Sequence, residues 1–397
     1  MVSRKTLVYG LTANVVVLGF VSLFTDVSSE MILPILPFFL IQVLSANALI
    51  VGLVEGVAES VGTFSKIFSG RLSDSAGKRK RFVAAGYGLS TAMKVLFPFA
   101  QSWPEFLGMR IFERTGKGVR DAPRDALLTE STPPETRGKA FGFHRSMDTA
   151  GAIAGPIITL GLLATVAAGL TREGAYRLIL LLAAIPALVS VLVILFVREP
   201  SRTPTRSQPL RVAFRGIPKP LLVFLGIASL FSFADFSYVF LLLRAGTLFD
   251  PTEAILLYVL YNVVYAVHAF PAGILSDRVG RKPVVLIGYV AFIAMSTLLV
   301  VSGDLLVLVA AFILYGLSYG MAEGTQRALV ADFAPAEIKA TVLGAYHTSI
   351  GIVRLASGVV AGLLWVVFMP QATFAFGAIA ATVATIGLVL WKPPARS

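Results

Sequence analysis

The sequence predicts an all-α membrane protein: twelve transmembrane helices in two six-helix parallel repeats. Three observations carry that prediction. The first is composition. Of 397 residues, 56% are hydrophobic and 14% charged, whereas soluble domains carry roughly 25% charged residues, and mean hydropathy is +0.81. The second is spacing. Runs of ~20 mostly apolar residues, enough to cross a bilayer, recur from end to end, and 178–197, 283–303 and 371–391 hold no charge. The third is loop charge. Lys78, Arg79, Lys80 and Arg81 follow one span, and Arg198, Arg202, Arg206, Arg211, Arg215 and Lys219 fill the central connection. Arg278, Arg281 and Lys282 follow a later span, and Lys392 and Arg396 close the chain, while 42–47, 101–103 and 368–370 carry no Lys or Arg. The positive-inside rule then puts both termini in the cytoplasm. It also assigns the net charge of +12 to lipid headgroups rather than nucleic acid.

The elements follow in order. Arg4 and Lys5 precede an apolar stretch that mimics a signal peptide. It runs through Asp26 and Glu30 to about Ile41 without a small-residue cleavage site, so it reads as a retained first span. Five more spans are expected at about 48–70, 81–102, 105–128, 139–167 and 175–197. A proline- and arginine-rich stretch, 199–217, reads as a cytoplasmic linker between an N-terminal half, 1–198, and a C-terminal half, 218–397. The second half repeats the pattern at about 218–244, 253–276, 283–302, 304–330, 340–368 and 371–391.

An internal repeat supports the two halves. Leu18-Gly19-x-x-Ser22-Leu23-Phe24 returns as Leu225-Gly226-x-x-Ser229-Leu230-Phe231. Gly70-x-Leu72-Ser73-Asp74 with Gly77-Lys78-Arg79 returns as Gly273-x-Leu275-Ser276-Asp277 with Gly280-Arg281-Lys282, and Ala126, Pro133, Glu135 and Gly142 match Ala328, Pro335, Glu337 and Gly344. An even number of spans per half makes the repeats parallel about an axis along the membrane normal.

On these motifs the chain resembles the major facilitator superfamily over essentially its whole length. The segments from Gly70 and Gly273 look like its G-x-L-x-D-R-x-G-R-[RK] signature, with Ser75 where the family has a basic residue. The resemblance implies a gate latch at Gly70, Asp74 and Gly77 and at Gly273, Asp277, Arg278, Gly280 and Arg281. The departure at Ser75 implies a weaker charge relay in the first copy. Gly142, Gly151, Gly155 and Pro156 resemble the family's antiporter motif, with Thr159 at its last glycine, and Pro34-x-x-Pro37 resembles a motif of twelve-span drug–proton antiporters. Arg110 with Gly116 and Gly118 is similar to the span-four pattern R-x-x-Q-G-x-G, Glu113 and Arg114 departing from it. Proton-driven efflux is what this resemblance implies.

Intramembrane charge marks the candidate site, because an Asp, Lys or Arg at a helix centre costs roughly 2.5–3.5 kcal/mol on insertion scales and usually serves a pathway. Span three is apolar except for Lys94. On span four, Arg110, Glu113, Arg114, Lys117, Arg120, Asp121, Arg124 and Asp125 recur at helical spacing. They share an arc of roughly 140°, which reads as one wet face. Opposite charges three or four apart also fit a self-paired ladder, Glu113 to Lys117 to Asp121. Arg110, Glu113, Arg114, Lys117 and Asp121 are the substrate-cavity candidates there. Asp26 and Glu30 are the proton-coupling candidates, since an intramembrane carboxyl can hold either a proton or a cationic partner. Glu55 and Glu59 are expected near a solvated outer mouth. On span eight, Tyr258, Tyr261, Asn262, Tyr265 and His268 form a second candidate cavity stripe, suited to aromatic or cationic ligands or to interhelical hydrogen bonds.

The function expected is proton-coupled alternating-access transport of a small organic solute, with efflux as the direction. Its setting is the cell membrane, its partners are the solute, protons and lipid, and it is expected to act as a monomer without nucleic acid. Alternatives are export of an anionic metabolite or metal chelate, or a non-transporting receptor. The chain has no cysteine and three histidines, so no metal site is expected. No phosphate-binding G-x-x-x-x-G-K-[ST] loop or HExxH pair occurs, so neither a cofactor nor enzymatic activity is expected.

Overall fold

The computed structural model describes residues 6–8, 11–199, 217–335 and 338–393. Arg4, Lys5, Glu337, Arg396, and the linker residues from 200 to 216 with Arg202, Arg206, Arg211 and Arg215 lie outside the described residues. The chain divides into two compact units, one of residues 1–45 and 61–209, the other of 46–60 and 210–397.

The first unit opens on a short antiparallel pair, β1 (Thr6–Val8) and β2 (Leu11–Thr12), so the first helix starts later than the sequence suggests. Its start is tied down by polar bonds. Thr12 Oγ1 donates to the Ser131 carbonyl at 3.0 Å, and Asn14 Nδ2 donates to Ser131 Oγ and the Arg198 carbonyl. The first span is broken into α1 (Ala13–Ile32) and α2 (Leu36–Gln42). Pro34 explains the break: it has no N–H to donate and its ring collides with the preceding turn. Next come α3 (Ala48–Ala76), α4 (Arg79–Leu96), α5 (Trp103–Glu130), α6 (Arg137–Ala164) and α7 (Arg172–Ile194). α1 packs on α6 and α7, and α4 packs on α5.

The second unit contains α8 (Lys219–Ala234), α9 (Ser237–Gly246), α10 (Pro251–Val279), α11 (Arg281–Val301), α12 (Leu305–Phe333), α13 (Lys339–Val367) and α14 (Pro370–Leu390). Residues 46–60, which include the first turns of α3, group with it. There Ser60 Oγ donates to the Gly351 carbonyl of α13 at 2.6 Å. Side-chain caps place several starts. Asn47 Oδ1 accepts from Ile50 N, and Asp250 and Glu253 form a reciprocal capping box on α10. α8 and α9 form a second broken span, with no proline at the break. Asp235 and Phe236 separate them, and Ser237 starts α9 at φ 65°.

Among the described residues, eleven helices are long and apolar enough to cross a membrane, counting α1 with α2 and α8 with α9 as one each. α5, at 28 residues, has the length; its charge keeps it outside that group.

Candidate functional site

In the first unit, α1 and α6 lie side by side along a seam of small residues. A Cβ on Gly151 would fall 2.8 Å from the Asp26 Cβ, and one on Gly155 2.6 Å from the Glu30 Cβ. Only glycine permits that approach. Thr159, the departure from the motif, continues the seam, its hydroxyl donating to the Met31 carbonyl at 3.0 Å. Gly142 meets nothing within 4 Å, so the motif's glycines have separate roles. Pro156 is buried, and α6 runs through it unbroken. Asp148 accepts from Ser22 across the same seam and lies 3.5 Å from His144 and 3.9 Å from Arg145. On the other side of α1, Lys94 is 1% exposed and donates to Ser28 and Ser29 Oγ at 3.0 and 2.9 Å. These serines lie between Asp26 and Glu30 in sequence.

α5 carries its charges differently from the ladder that spacing suggests. Arg110 and Arg114 both reach Glu113 Oε2, at 2.9 and 3.6 Å, with all three side chains 3–7% exposed. Arg124 pairs with Asp125 at 2.9 Å and lies 3.8 Å from Asp121. The Arg120 guanidinium sits 4.3 Å from the centre of the Tyr87 ring. Lys117 makes no ion pair or hydrogen bond among the described residues. The planar guanidinium forks take the carboxylates in preference to the point-like ammonium. Arg110, Glu113, Arg114 and Arg120 are buried, so half of the predicted wet face is dry.

The two glycine-rich turns are matching three-residue bridges. Arg79 joins Asp74 at 2.8 Å to Glu130 at 2.9 Å, and Arg281 joins Asp277 at 2.6 Å to Asp332 at 3.1 Å. Gly77 and Gly280, at φ 63° and 93°, make the turns that bring each arginine back, a conformation that side chains resist. The first turn has one extra residue, so Arg79 corresponds to Arg281 rather than to Lys282. Ser75 and Arg278 take no part in either bridge, and Ser75 Oγ bonds its own helix at the Leu72 carbonyl. Gly70 packs toward Ala122, and Gly273 meets nothing within 4 Å. Sequence reasoning missed Glu130 and Asp332, although they obey the same half-chain offset as the rest of the repeat.

In the second unit a cavity of about 100 Å³ opens beside the α8–α9 break, lined by Glu55, Glu59, Asp235, Tyr315, Tyr319, Arg354 and Ser357 among others. Arg354 lies 3.3 Å from Glu59 and donates to the Tyr319 hydroxyl at 3.1 Å, and Tyr315 donates to Asp235 at 3.1 Å. Glu55 is 3% exposed, so the solvated outer mouth expected for it is corrected: it faces a buried pocket. The α10 stripe stands behind the cavity. Tyr258, Tyr261 and Asn262 are buried, and the Tyr261 ring lies 5.1 and 6.3 Å from those of Tyr315 and Tyr319. Tyr265 donates to Glu323 at 3.3 Å, and His268 bonds the Val264 carbonyl of its own helix. Tyr315 and Tyr319, four apart on α12, were the missed partners of a stripe that was legible on α10.

A family model described as the Major Facilitator Superfamily matches residues 18–244 and 222–397. An uncharacterized MFS-type transporter of Methanocaldococcus jannaschii is 38% identical over 392 residues, covering 96% of this chain and 94% of that one. The multidrug resistance protein MdtH of Cronobacter sakazakii is 27% identical over 143 residues, 36% of this chain and 33% of its own. Among solved structures, a nucleoside transporter NupG mutant aligns with TM-score 0.80 at 14% identity, covering 95% of this chain and 99% of that chain. A POT family transporter in complex with a thioalcohol-conjugated peptide aligns with TM-score 0.81 at 12% identity, covering 98% and 97%. With both halves matched by one family and nearly the whole chain shared with a transporter relative, this chain belongs to the major facilitator superfamily and is a multi-pass membrane transporter, not an enzyme.

Proposed function

We propose that the protein is a proton-coupled efflux antiporter, moving small organic solutes across the cell membrane by alternating access, as a monomer with both termini cytoplasmic. In this reading α5 is the twelfth span, the chain's halves are parallel repeats, and the bridges at Arg79 and Arg281 are gate latches. The α1–α6 seam carries the reading. The two carboxylate-bearing positions of the first span, Asp26 and Glu30, sit directly on the two motif glycines, Gly151 and Gly155. A proton taken up there changes charge against a tightly packed neighbour, which is how a titration can bias a rigid-body transition. Lys94, on the opposite side of α1, supplies the positive charge against which either carboxylate can exchange its proton. The partial likeness to a multidrug resistance protein supports efflux, and the nucleoside and peptide transporters among the structural neighbours support small organic solutes.

The test uses proteoliposomes with pyranine inside, an imposed pH gradient and an external panel of drugs, nucleosides and short peptides. The wild type is expected to move protons on addition of a transported compound. Asp26→Asn is expected to stop that movement while thermal-shift binding persists. Unchanged proton movement in both Asp26→Asn and Glu30→Gln would overturn the assignment.

A further inference from the structure

The seam of α1 and α6 holds a second titratable group that the coupling reading leaves unused. His144 lies one helical turn before Asp148 on α6, is 5% exposed, and turns Nδ1 toward Asp148 Oδ2, 3.5 Å away. Asp148 also accepts from the Ser22 hydroxyl of α1. Asp26 follows Ser22 by one turn on α1, and Gly151, against which Asp26 packs, follows Asp148 by three residues on α6. The two helices therefore run in the same direction along the seam. His144, Asp148 and Asp26 succeed one another in that order from the helix starts, with Glu30 a further turn along.

A second observation singles out the ring. His144 Nε2 is buried and has no hydrogen-bond partner among the described residues. Buried polar atoms are nearly always paired, so an open nitrogen here calls for a partner from outside the chain. With Nδ1 turned to a carboxylate, the neutral ring carries its hydrogen there, and Nε2 is left as a bare lone pair. A group that takes up and releases a proton is one that no fixed donor can occupy.

A third observation concerns access. The next residue, Arg145, has a side chain 58% exposed, and an exposed guanidinium keeps its charged head in water. Gly142, two residues before the ring, meets nothing within 4 Å. His144 stands seven residues into α6, about 10 Å from its start, which is the cytoplasmic end in the proposed topology. The charges that face this pair are few. Arg145 lies 3.9 Å from Asp148, and Arg124 of α5 acts on both Asp148 and Asp26. Lys117 and Arg120 of α5 and Lys94 of α4 act on Asp26. The turn before α6 adds Glu135, and α7 bears its charges, Arg172, Glu173 and Arg177, at its start, next to the far end of α6.

We propose that His144 and Asp148 form a second proton-binding site, open to the cytoplasmic side and linked to Asp26 along the seam. A proton taken up at Nε2 turns the ring into a cation held by Asp148, which offsets the field of that carboxylate on Asp26. Carboxylates on adjacent turns titrate as a pair, so occupancy of one site alters proton binding at the other, by the same factor in each direction. The inference rests on the coupling reading and adds the residue through which the cytoplasm acts on Asp26.

NMR of the full-length protein, labelled in its histidine rings and held in detergent, tests the site at equilibrium, with no solute and no gradient. Three histidines occur, so His144→Gln assigns the signal by its loss; His268→Gln and His347→Gln assign it if His144→Gln does not fold. The His144 signal is expected to titrate with a midpoint between about pH 5 and 8. Asp148→Asn is expected to weaken proton binding at His144 by about tenfold, and Asp26→Asn by about threefold. If Asp148→Asn does not fold, Asp26→Asn carries the comparison. In the pyranine assay, His144→Gln is expected to slow solute-driven proton movement about tenfold near pH 7 and to flatten its pH dependence. A His144 signal that does not titrate in that range, midpoints unchanged in the aspartate variants that fold, or wild-type proton movement in His144→Gln would each overturn the proposal. The NMR arm needs no transport. Titration as expected in a wild type that moves no protons sustains the site and fells the coupling reading, whereas failure of the histidine arm leaves the Asp26 result standing.

Discussion

Gly142, Gly151 and Gly155 belong to one sequence motif but face different surroundings. At Gly155 an added side chain meets the Glu30 Cβ and backbone, while at Gly142 it meets open space. Gly155→Val is therefore expected to lower stability by about 1–3 kcal/mol through overpacking, read as a fall in the thermal unfolding midpoint in detergent. Gly142→Ala is expected to leave stability unchanged or raise it by up to ~1 kcal/mol, because alanine is the better helix former. Equal losses at the two positions would remove the seam as the reason for the motif. The second prediction at this scale concerns Ser237 at φ 65°. Ser237→Gly relieves the left-handed conformation and is expected to stabilise the fold by roughly 1 kcal/mol, whereas Ser237→Val is expected to destabilise it. Sequence alone marked Asp26, Glu30 and the glycines, because charge in a span and helical spacing are local properties. That they touch one another is not local, and neither is the Ser237 strain, which no pattern of residue types encodes.

The helix-connecting turns show why a repeated element can be read from sequence while its bond partners are hard to find. Asp74 and Asp277 were visible as turn residues, and the glycines as bends. The arginine that each engages sits five residues on in the first turn and four in the second, an offset that alignment by residue type obscured. The distal acids, Glu130 and Asp332, lie at the far ends of α5 and α12, so only the packed structure delivers them. If the bridges are latches, Asp74→Asn and Asp277→Asn should each change the labelling rate of single cysteines placed in the cavity of the second unit, such as Ser357→Cys. Wild-type rates in both variants would make the turns structural only. The bridges also differ in burial, the Arg79 side chain being 8% exposed and that of Arg281 20%. Arg79→Gln, which strips charge-assisted bonds from a buried site, is expected to cost about 1.5–3 kcal/mol. Arg281→Gln, nearer the surface, is expected to cost about 1 kcal/mol or less. Thermal unfolding of the two variants side by side checks that order.

At the scale of the whole chain, hydropathy located most helices within a few residues, since spans of fixed length between polar caps leave little freedom for their ends. The exceptions are instructive. The first helix starts at Ala13 because a strand pair precedes it, and α3 and α12 overrun the apolar stretches that announced them, ending in the charged segments that form the bridges. α5 is the decisive case. Its charges exclude it from the eleven helices apolar enough to cross a membrane, yet Arg110 and Arg114 share the Glu113 carboxylate inside the first unit. A helix whose charges are partly paired along its own length and buried among its neighbours can cross a bilayer that it could not cross alone. The chain contains no cysteine, so single cysteines report topology without a background signal. Asn47→Cys, Ser102→Cys and Gly303→Cys are expected to react with a membrane-impermeant maleimide from outside intact cells. Ala13→Cys, Glu135→Cys and Lys392→Cys are expected to react only after permeabilisation. Ser102 and Glu135 flank α5, so the pair isolates the contested span. Labelling of both from one side would make α5 a non-spanning helix and return the count to eleven. An odd count would put the chain's two ends on opposite faces of the membrane, and Ala13→Cys against Lys392→Cys reads that consequence separately.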